Sequence, residues 1–149
     1  FKQLVQSDKL QSLKQVKLKI DISSFSYKNG YPEDSSGNGG GFVFDCRCLP
    51  NPGRQEAYAH LTGQHAEVIN FLEKEKEVIL FFEHITSIID LAVKNYLDRD
   101  FSHLSISFGC TGGQHRSVYF AEKLSNYLLS KYPVTTSVHH TAEKNWELQ

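Results

Sequence analysis

Leu104-Ser-Ile-Ser-Phe-Gly-Cys-Thr-Gly-Gly-Gln-His-Arg-Ser-Val-Tyr119 is the stretch that decides how this 149-residue chain folds. Leu104–Phe108 alternates apolar and polar residues, the two-residue period of a strand with one face buried. Beyond the glycines, Val118, Ala121, Leu124, Leu128 and Tyr132 recur at three- and four-residue steps, the period of a helix running to about Lys131. Pro133 stops that helix, and Val134–His139 reads as another strand. Strand, helix and strand make one βαβ unit. The fold class expected is therefore α/β: a single domain with a mostly parallel sheet and helices packed on it.

Upstream, Val16–Ile22 alternates like a half-buried strand. Ser23–Gly41 is rich in Ser, Gly and Asn and ends in Ser35-Ser-Gly-Asn-Gly-Gly-Gly41. It reads as a loop with a flexible insertion over 33–41, either a mobile lid or a plain surface insertion. Phe42–Cys46 is a short apolar strand carrying Asp45, and the two prolines of Leu49-Pro-Asn-Pro-Gly53 force a rigid turn. His65–Lys74 and Glu77–Leu97 read as helices. In the second, Val78, Phe82, Ile85, Ile89, Ala92 and Tyr96 form one apolar face, which is core packing rather than a cofactor box. Residues 1–14 read as a linker or short helix, with the domain over 15–149.

A hydrophobic fraction of 40% and a charged fraction of 22% are ordinary globular values, which excludes wholesale disorder. The net charge of −1 gives no whole-protein attraction to nucleic acid or to a membrane surface. No apolar run approaches the roughly 20 residues that span a bilayer. Cys46, Cys48 and Cys110 are an odd set without a secretion signal, which points to a reduced, cytoplasmic setting. Cys46-Arg47-Cys48 lacks zinc-ribbon spacing, so no metal is expected, and no cofactor motif is present. The chain starts at Phe1 and holds no Met, so it reads as a piece of a longer polypeptide whose N-terminal part shares the function.

The chemistry concentrates in Gly109–Ser117. Gly109, Gly112 and Gly113 permit backbone angles closed to other residues and let main-chain N–H groups turn inward. A helix starting near Gln114 or His115 adds its unpaired first-turn N–H groups and the positive end of its dipole. Together these make a donor surface suited to phosphate. Arg116 can add a bidentate fork, and Thr111, His115 and Ser117 add side-chain donors. The loop follows a strand's carboxyl end, where open α/β sheets place their ligands. A Walker loop (Gly, four residues, Gly-Lys-Ser/Thr) is absent.

Cys110, five intervening residues, Arg116 and Ser117 also reproduce the spacing of cysteine-dependent phosphatases, in which a thiolate attacks phosphorus. Gly109 stands where many such enzymes have His, and Asp45 and Asp100 are only candidates for the general acid. The plainer alternative is that Cys110 is a small apolar residue ending the strand. Asp45 and Arg47 either face the pocket, with Arg47 helping Arg116 neutralise an anion and Asp45 accepting from the ligand, or form a structural salt bridge. His60, Thr62 and His65 are weaker pocket candidates, and a surface or capping role suits His139 and His140.

The run Phe108–Tyr119, followed by Ala121-Glu122, resembles the C-terminal domain of the RapZ (YvcJ-like) family. Ser24–Lys28 with Gly30, Phe42–Asp45 with Arg47, Leu49–Pro52, Leu61–Gly63 and His140–Lys144 agree in order, so the resemblance covers roughly Ser23 to Lys144. It implies a phosphosugar-binding-like fold that binds glucosamine-6-phosphate, contributes to binding of small regulatory RNAs, and self-associates. It also implies a separate N-terminal P-loop nucleotide-binding domain absent here. By position, Thr111, Gly112, Gly113, His115 and Arg116 would hold the phosphate, with Gln114 and Ser117 in the same loop. Gly53 stands where family members often have His, and the tail His139–Glu147 is not basic, which weakens the case for RNA. The function expected is a binding and regulatory domain for an amino-sugar phosphate, with no cofactor. The alternatives are a cysteine phosphatase, an RNA adapter, and the regulatory part of a larger nucleotide-binding or kinase protein.

Overall fold

The structure, a computed structural model, describes residues 17–148, so the linker or short helix expected over 1–14 lies outside the described residues. Four strands form the sheet: β1 (Lys19–Ser26), β2 (Phe42–Asp45), β3 (His103–Cys110) and β4 (Thr135–His140). Every pairing is parallel, in the order β2-β3-β1-β4. The α/β class and the parallel sheet are as the βαβ pattern dictates. β1 nevertheless lies between β3 and β4, so the helical crossover from β3 to β4 passes over a strand.

Four helices follow: α1 (Glu56–Ala59), α2 (Ala66–Glu73), α3 (Lys76–Asp98) and α4 (Arg116–Lys131). α3 and α4 share one hydrophobic core with the sheet. Ile20, Ile22, Leu104, Ile106 and Phe108 alternate inward, and Ile85, Ile89, Leu124 and Phe120 meet them. Phe120 is central, with ring centroids 5.9 Å from Phe108 and 5.5 Å from Phe81. Of the face expected on α3, Val78, Ile85 and Ile89 are buried, while Phe82 and Tyr96 pack on the core's edge. Val93 joins the buried set, and Ala92 is half-exposed.

β1 extends four residues past its expected end, through Ser23-Ser-Phe-Ser26. Serine has little intrinsic strand preference, but β1 is a central strand, paired with β3 through Ser26 and with β4 through Ser24. Ser24 bonds His140, and the Ser26 hydroxyl donates to the Thr111 carbonyl at 2.6 Å, so neither buried hydroxyl is orphaned. Tertiary pairing overrides local preference here.

The 33–41 segment is tied together by Asp34, whose carboxylate accepts from the Ser36 hydroxyl, the Ser36 N–H and the Gly40 N–H. Those bonds, with the Ser36 hydroxyl foremost, hold the Asp34 carboxyl down to about 2. Tyr31–Ser35 and Gly40-Gly41 line a cavity of about 320 Å³ with Asp21, Ser23, Ser105 and Ser107. The segment therefore lies on the polar side chains of β1 and β3, away from the helices.

Candidate functional site

β3 ends at Cys110 and α4 begins at Arg116, one or two residues later than the pattern suggested, with His115 as the N-cap. The glycines do three different jobs. Only Gly113 has a left-handed backbone, at φ 66°, and an added Cβ would also come within 2.7 Å of the Ala142 Cβ. Gly109 is small for lack of room: a Cβ there would stand 2.4 Å from the Tyr27 ring and 2.5 Å from the Phe25 ring. Gly112 has neither constraint, because its Cβ direction meets nothing within 4 Å. The common conformational role expected of all three therefore belongs to Gly113 alone.

The polar side chains of the loop turn mostly inward. Arg116 is only 4% exposed. Its Nη1 donates to the carbonyls of Leu49 at 2.9 Å, Arg47 at 3.0 Å and Cys46 at 3.4 Å, while Nε is buried without a partner among the described residues. Arg116 thus pins the segment after β2, and half of the fork expected to clasp an anion is committed to backbone. Gln114 does similar work: its Nε2 donates to the carbonyls of Leu61 at 2.8 Å and Ala59 at 3.2 Å, and its Oε1 accepts from the Glu147 N–H at 2.9 Å.

His115 Nε2 donates to the Tyr58 carbonyl at 2.9 Å, because a carbonyl can only accept. Burial, with Arg116 adding to it, pulls its pKa below 6.5, so the ring is neutral at pH 7. The Cys110 sulfur is buried, 3.1 Å from the equally buried Ser117 hydroxyl. Its neighbour Cys46 is buried too, which pushes that thiol well above its ordinary value.

Above the loop lies a cleft of about 550 Å³ at the carboxyl ends of β1 and β3. It brings together Cys110, Thr111, Gly112, Gln114, His115 and Arg116 of the expected set. Gly113 and Ser117 support it from behind, both buried. Asp45 and Arg47 are not among its lining residues. They form a bidentate ion pair with each other at 2.7–3.0 Å, and the Arg47 guanidinium lies 3.7 Å over the Tyr27 ring. The pair holds the Asp45 carboxyl below its usual range.

Gly53 and Ala59 line it too, as do Ser26, Lys28, Asn29, Asn51, Asn145 and Glu147, and none of these was singled out as a site residue from the sequence. Lys28 and Asn51 lie within the segments Ser24–Lys28 and Leu49–Pro52 that carry the family resemblance, which was the signal available. His60, Thr62 and His65 fall outside the cleft. The Thr62 N–H donates to His65 Nδ1 at 2.9 Å, and the Thr62 hydroxyl accepts from the Gln64 N–H, making the turn that starts α2. His140 joins β1 to α4: its Nε2 donates to Glu122 at 2.8 Å, and Nδ1 lies 2.5 Å from the Ser24 hydroxyl.

Residues 18–144 match the RapZ C-terminal domain family. A nucleotide-binding protein of Staphylococcus aureus strain JH9 is 41% identical over 121 residues, covering 81% of this chain and 38% of that protein. The nucleotide-binding protein of strain Newman gives the same identity and coverage. The chain thus spans well under half the length of these curated relatives. No helix among the described residues is long and apolar enough to cross a membrane.

Proposed function

The chain belongs to the RapZ C-terminal domain family, and on that premise we propose that it is a binding and regulatory domain for a phosphorylated small molecule, an amino-sugar phosphate such as glucosamine-6-phosphate. The phosphate rests on Thr111, Gly112 and the first-turn N–H groups of α4. Lys28 supplies the mobile positive charge, and buried Arg116 supplies a fixed one behind the loop. Gln114, His115 and Ser117 hold the loop's shape, and Gly113 makes its turn. Asp45 and Arg47 lie outside the cleft lining and pair with each other, so that ion pair must open before either meets a ligand.

The observation that carries this reading is the bare backbone at Gly112, exposed in a cleft whose two lining cations are Lys28 and Arg116. An anion can approach the main chain there without displacing any side chain. The name nucleotide-binding belongs to relatives more than twice as long, and this chain has no Walker loop. Regulation of an attached or partner domain is therefore the role that suits it, in a soluble, cytoplasmic protein. The cysteine-phosphatase alternative has less support: the Cys110 sulfur is buried against Ser117, and Arg116 Nη1 faces carbonyls instead of the cleft.

Calorimetric titration of glucosamine-6-phosphate and inorganic phosphate into the chain and its Gly112→Leu variant tests the proposal. The variant has ordinary backbone angles and open space, so it folds, but its side chain occupies the ligand's approach. Saturable binding by the parent chain, weakened about tenfold or more in Gly112→Leu at an unaltered melting temperature, is expected. Absence of saturable binding, or equal binding by both proteins, overturns it.

A further inference from the structure

All-parallel sheets ordinarily bury both faces, and their strands are apolar on both sides. Here the face turned away from α3 and α4 is short and polar. The strand register gives its floor: Asp21 and Ser23 of β1 lie between Ser105 and Ser107 of β3 on one side and Ser137 and His139 of β4 on the other. These six alternate with Ile20, Ile22, Leu104 and Ile106, which are buried against the helices, so their side chains point the opposite way. Segment 31–41 overhangs this floor, and the hollow between them measures about 320 Å³.

The hollow exists because serine stands where a sheet has little use for it. β1 and β3 are the two central strands, and a β-branched residue at Ser23, Ser105 or Ser107 would suit them better and fill the space. A local rule broken without structural gain marks a place where something else is served. His103 holds the Ser105 hydroxyl at 3.1 Å, and Ser137 donates to Asp21, whereas the Ser23 and Ser107 hydroxyls have no side-chain partner among the described residues. The overhang is closely fitted: a Cβ on Gly41 would stand 2.1 Å from the Ser105 carbonyl oxygen, and Asp34 ties Ser36 to Gly40.

The lining restricts what fits. A hydroxyl both donates and accepts, and a carboxylate accepts, so a floor of serines beside Asp21 is matched by a ligand that is itself made of hydroxyls. The lining acids Asp21, Glu33 and Asp34 outnumber the one lysine, Lys19, which disfavours a phosphate. Among the described residues no group of three His, Cys, Asp or Glu could hold a metal ion. Tyr31 adds an apolar surface: it lines the hollow, is 68% exposed, and its ring is held 5.6 Å from that of Phe25 and 5.8 Å from that of Tyr27. An aromatic ring already fixed by its neighbours can cover the C–H face of a sugar with little ordering cost.

We propose that this hollow is a second binding site, for an uncharged sugar ring, with Tyr31 against its apolar face and Asp21, Ser23 and Ser107 on its hydroxyls. The site shares no lining residue with the cleft over the β3–α4 loop and does not depend on what that cleft binds.

The test is a titration of the ¹⁵N-labelled chain with D-glucose, D-galactose and D-mannose, followed by amide NMR shifts, with sorbitol as the ring-free control. At least one hexose is expected to shift the Ser23, Tyr31 and Ser107 amides saturably, with a Kd on the order of millimolar, and sorbitol to bind about fivefold or more weakly. Ser107→Val fills the hollow and is expected to weaken the hexose about tenfold or more while melting no lower than the parent. Tyr31→Ala, at an exposed position, weakens it about three- to tenfold. Absence of saturable shifts with all three hexoses, sorbitol binding as well as the rings, or unchanged affinity in Ser107→Val overturns the assignment. A Ser107→Val protein that melts several degrees lower gives the serines a structural role and overturns it as well. Gly112→Leu leaves this titration unaltered, so failure here and failure of the loop site are read separately.

Discussion

Replacing Arg116 by alanine separates two roles that its sequence position leaves merged. One nitrogen, Nη1, serves the carbonyls of Leu49, Arg47 and Cys46 at 2.9, 3.0 and 3.4 Å. It has two hydrogens, so the set amounts to about two charged hydrogen bonds, or roughly 3–6 kcal/mol gross. Against this stands the cost of burying a guanidinium whose Nε has no partner among the described residues, which is several kcal/mol. Removing the side chain also strands the carbonyls and leaves a void between the loop and the segment after β2. The net loss expected is about 2–4 kcal/mol.

Urea unfolding followed by circular dichroism reads this as a midpoint shifted down by about 1–2 M at an unaltered slope. A change below about 0.5 kcal/mol, the scale of an unremarkable surface substitution, would falsify the structural role and return Arg116 to the status of a free anion ligand. Loss of ligand affinity in Arg116→Ala is consequently ambiguous by itself. Gly112→Leu and Lys28→Ala probe the cleft without cutting the tie to Cys46–Leu49.

Two further outcomes follow from the same geometry. Gly63→Ala places a Cβ 2.3 Å from the His115 carbonyl and 2.5 Å from the Tyr119 nitrogen, both rigid main chain at the start of α4. The variant should lose about 3 kcal/mol and melt about 10 °C lower; a melting temperature within about 2 °C of the parent's refutes the close approach. His115 has its folded pKa lowered from 6.5, chiefly by burial, so the unfolded chain binds its proton more readily. The stability that comes from keeping the ring neutral is complete above pH 6.5 and declines as pH falls from there toward the lower folded value. Urea midpoints of His115→Gln should therefore fall less steeply than the parent's between about pH 6.5 and 5; parallel curves would remove the effect.

Much of the architecture follows from short-range signals that the sequence carries in full. The alternation in Leu104–Phe108 and the three-and-four spacing through Leu128 are local, and they specify β3 and α4 because exposure of the wrong face is costly whatever the rest of the chain does. The position of the loop was legible for the same reason, since a strand ending and a helix starting six residues later require a turn there. The identity of its glycines was legible, but the reason for each was not. Gly109 answers to the rings of Phe25 and Tyr27, and Gly113 to Ser26 and Ala142, contacts set by how β1 and the strap are placed.

Tertiary structure alone decided what the loop's side chains do. Arg116 bonds a segment about 70 residues earlier, and Gln114 joins residues 59 and 61 to 147. Side-chain hydrogen bonds are satisfied by whatever acceptor the fold delivers, and no local period encodes that choice. Strand order is of the same kind: β1 parts β3 from β4 and carries its pairing through four serine-rich residues that read locally as loop. The amino-acid sequence on its own determined that a glycine-bearing turn joins β3 to α4. Long-range packing determined that Lys28 and Glu147 line one cleft, with Arg116 buried behind the loop, because those three meet only after every strand has found its neighbour.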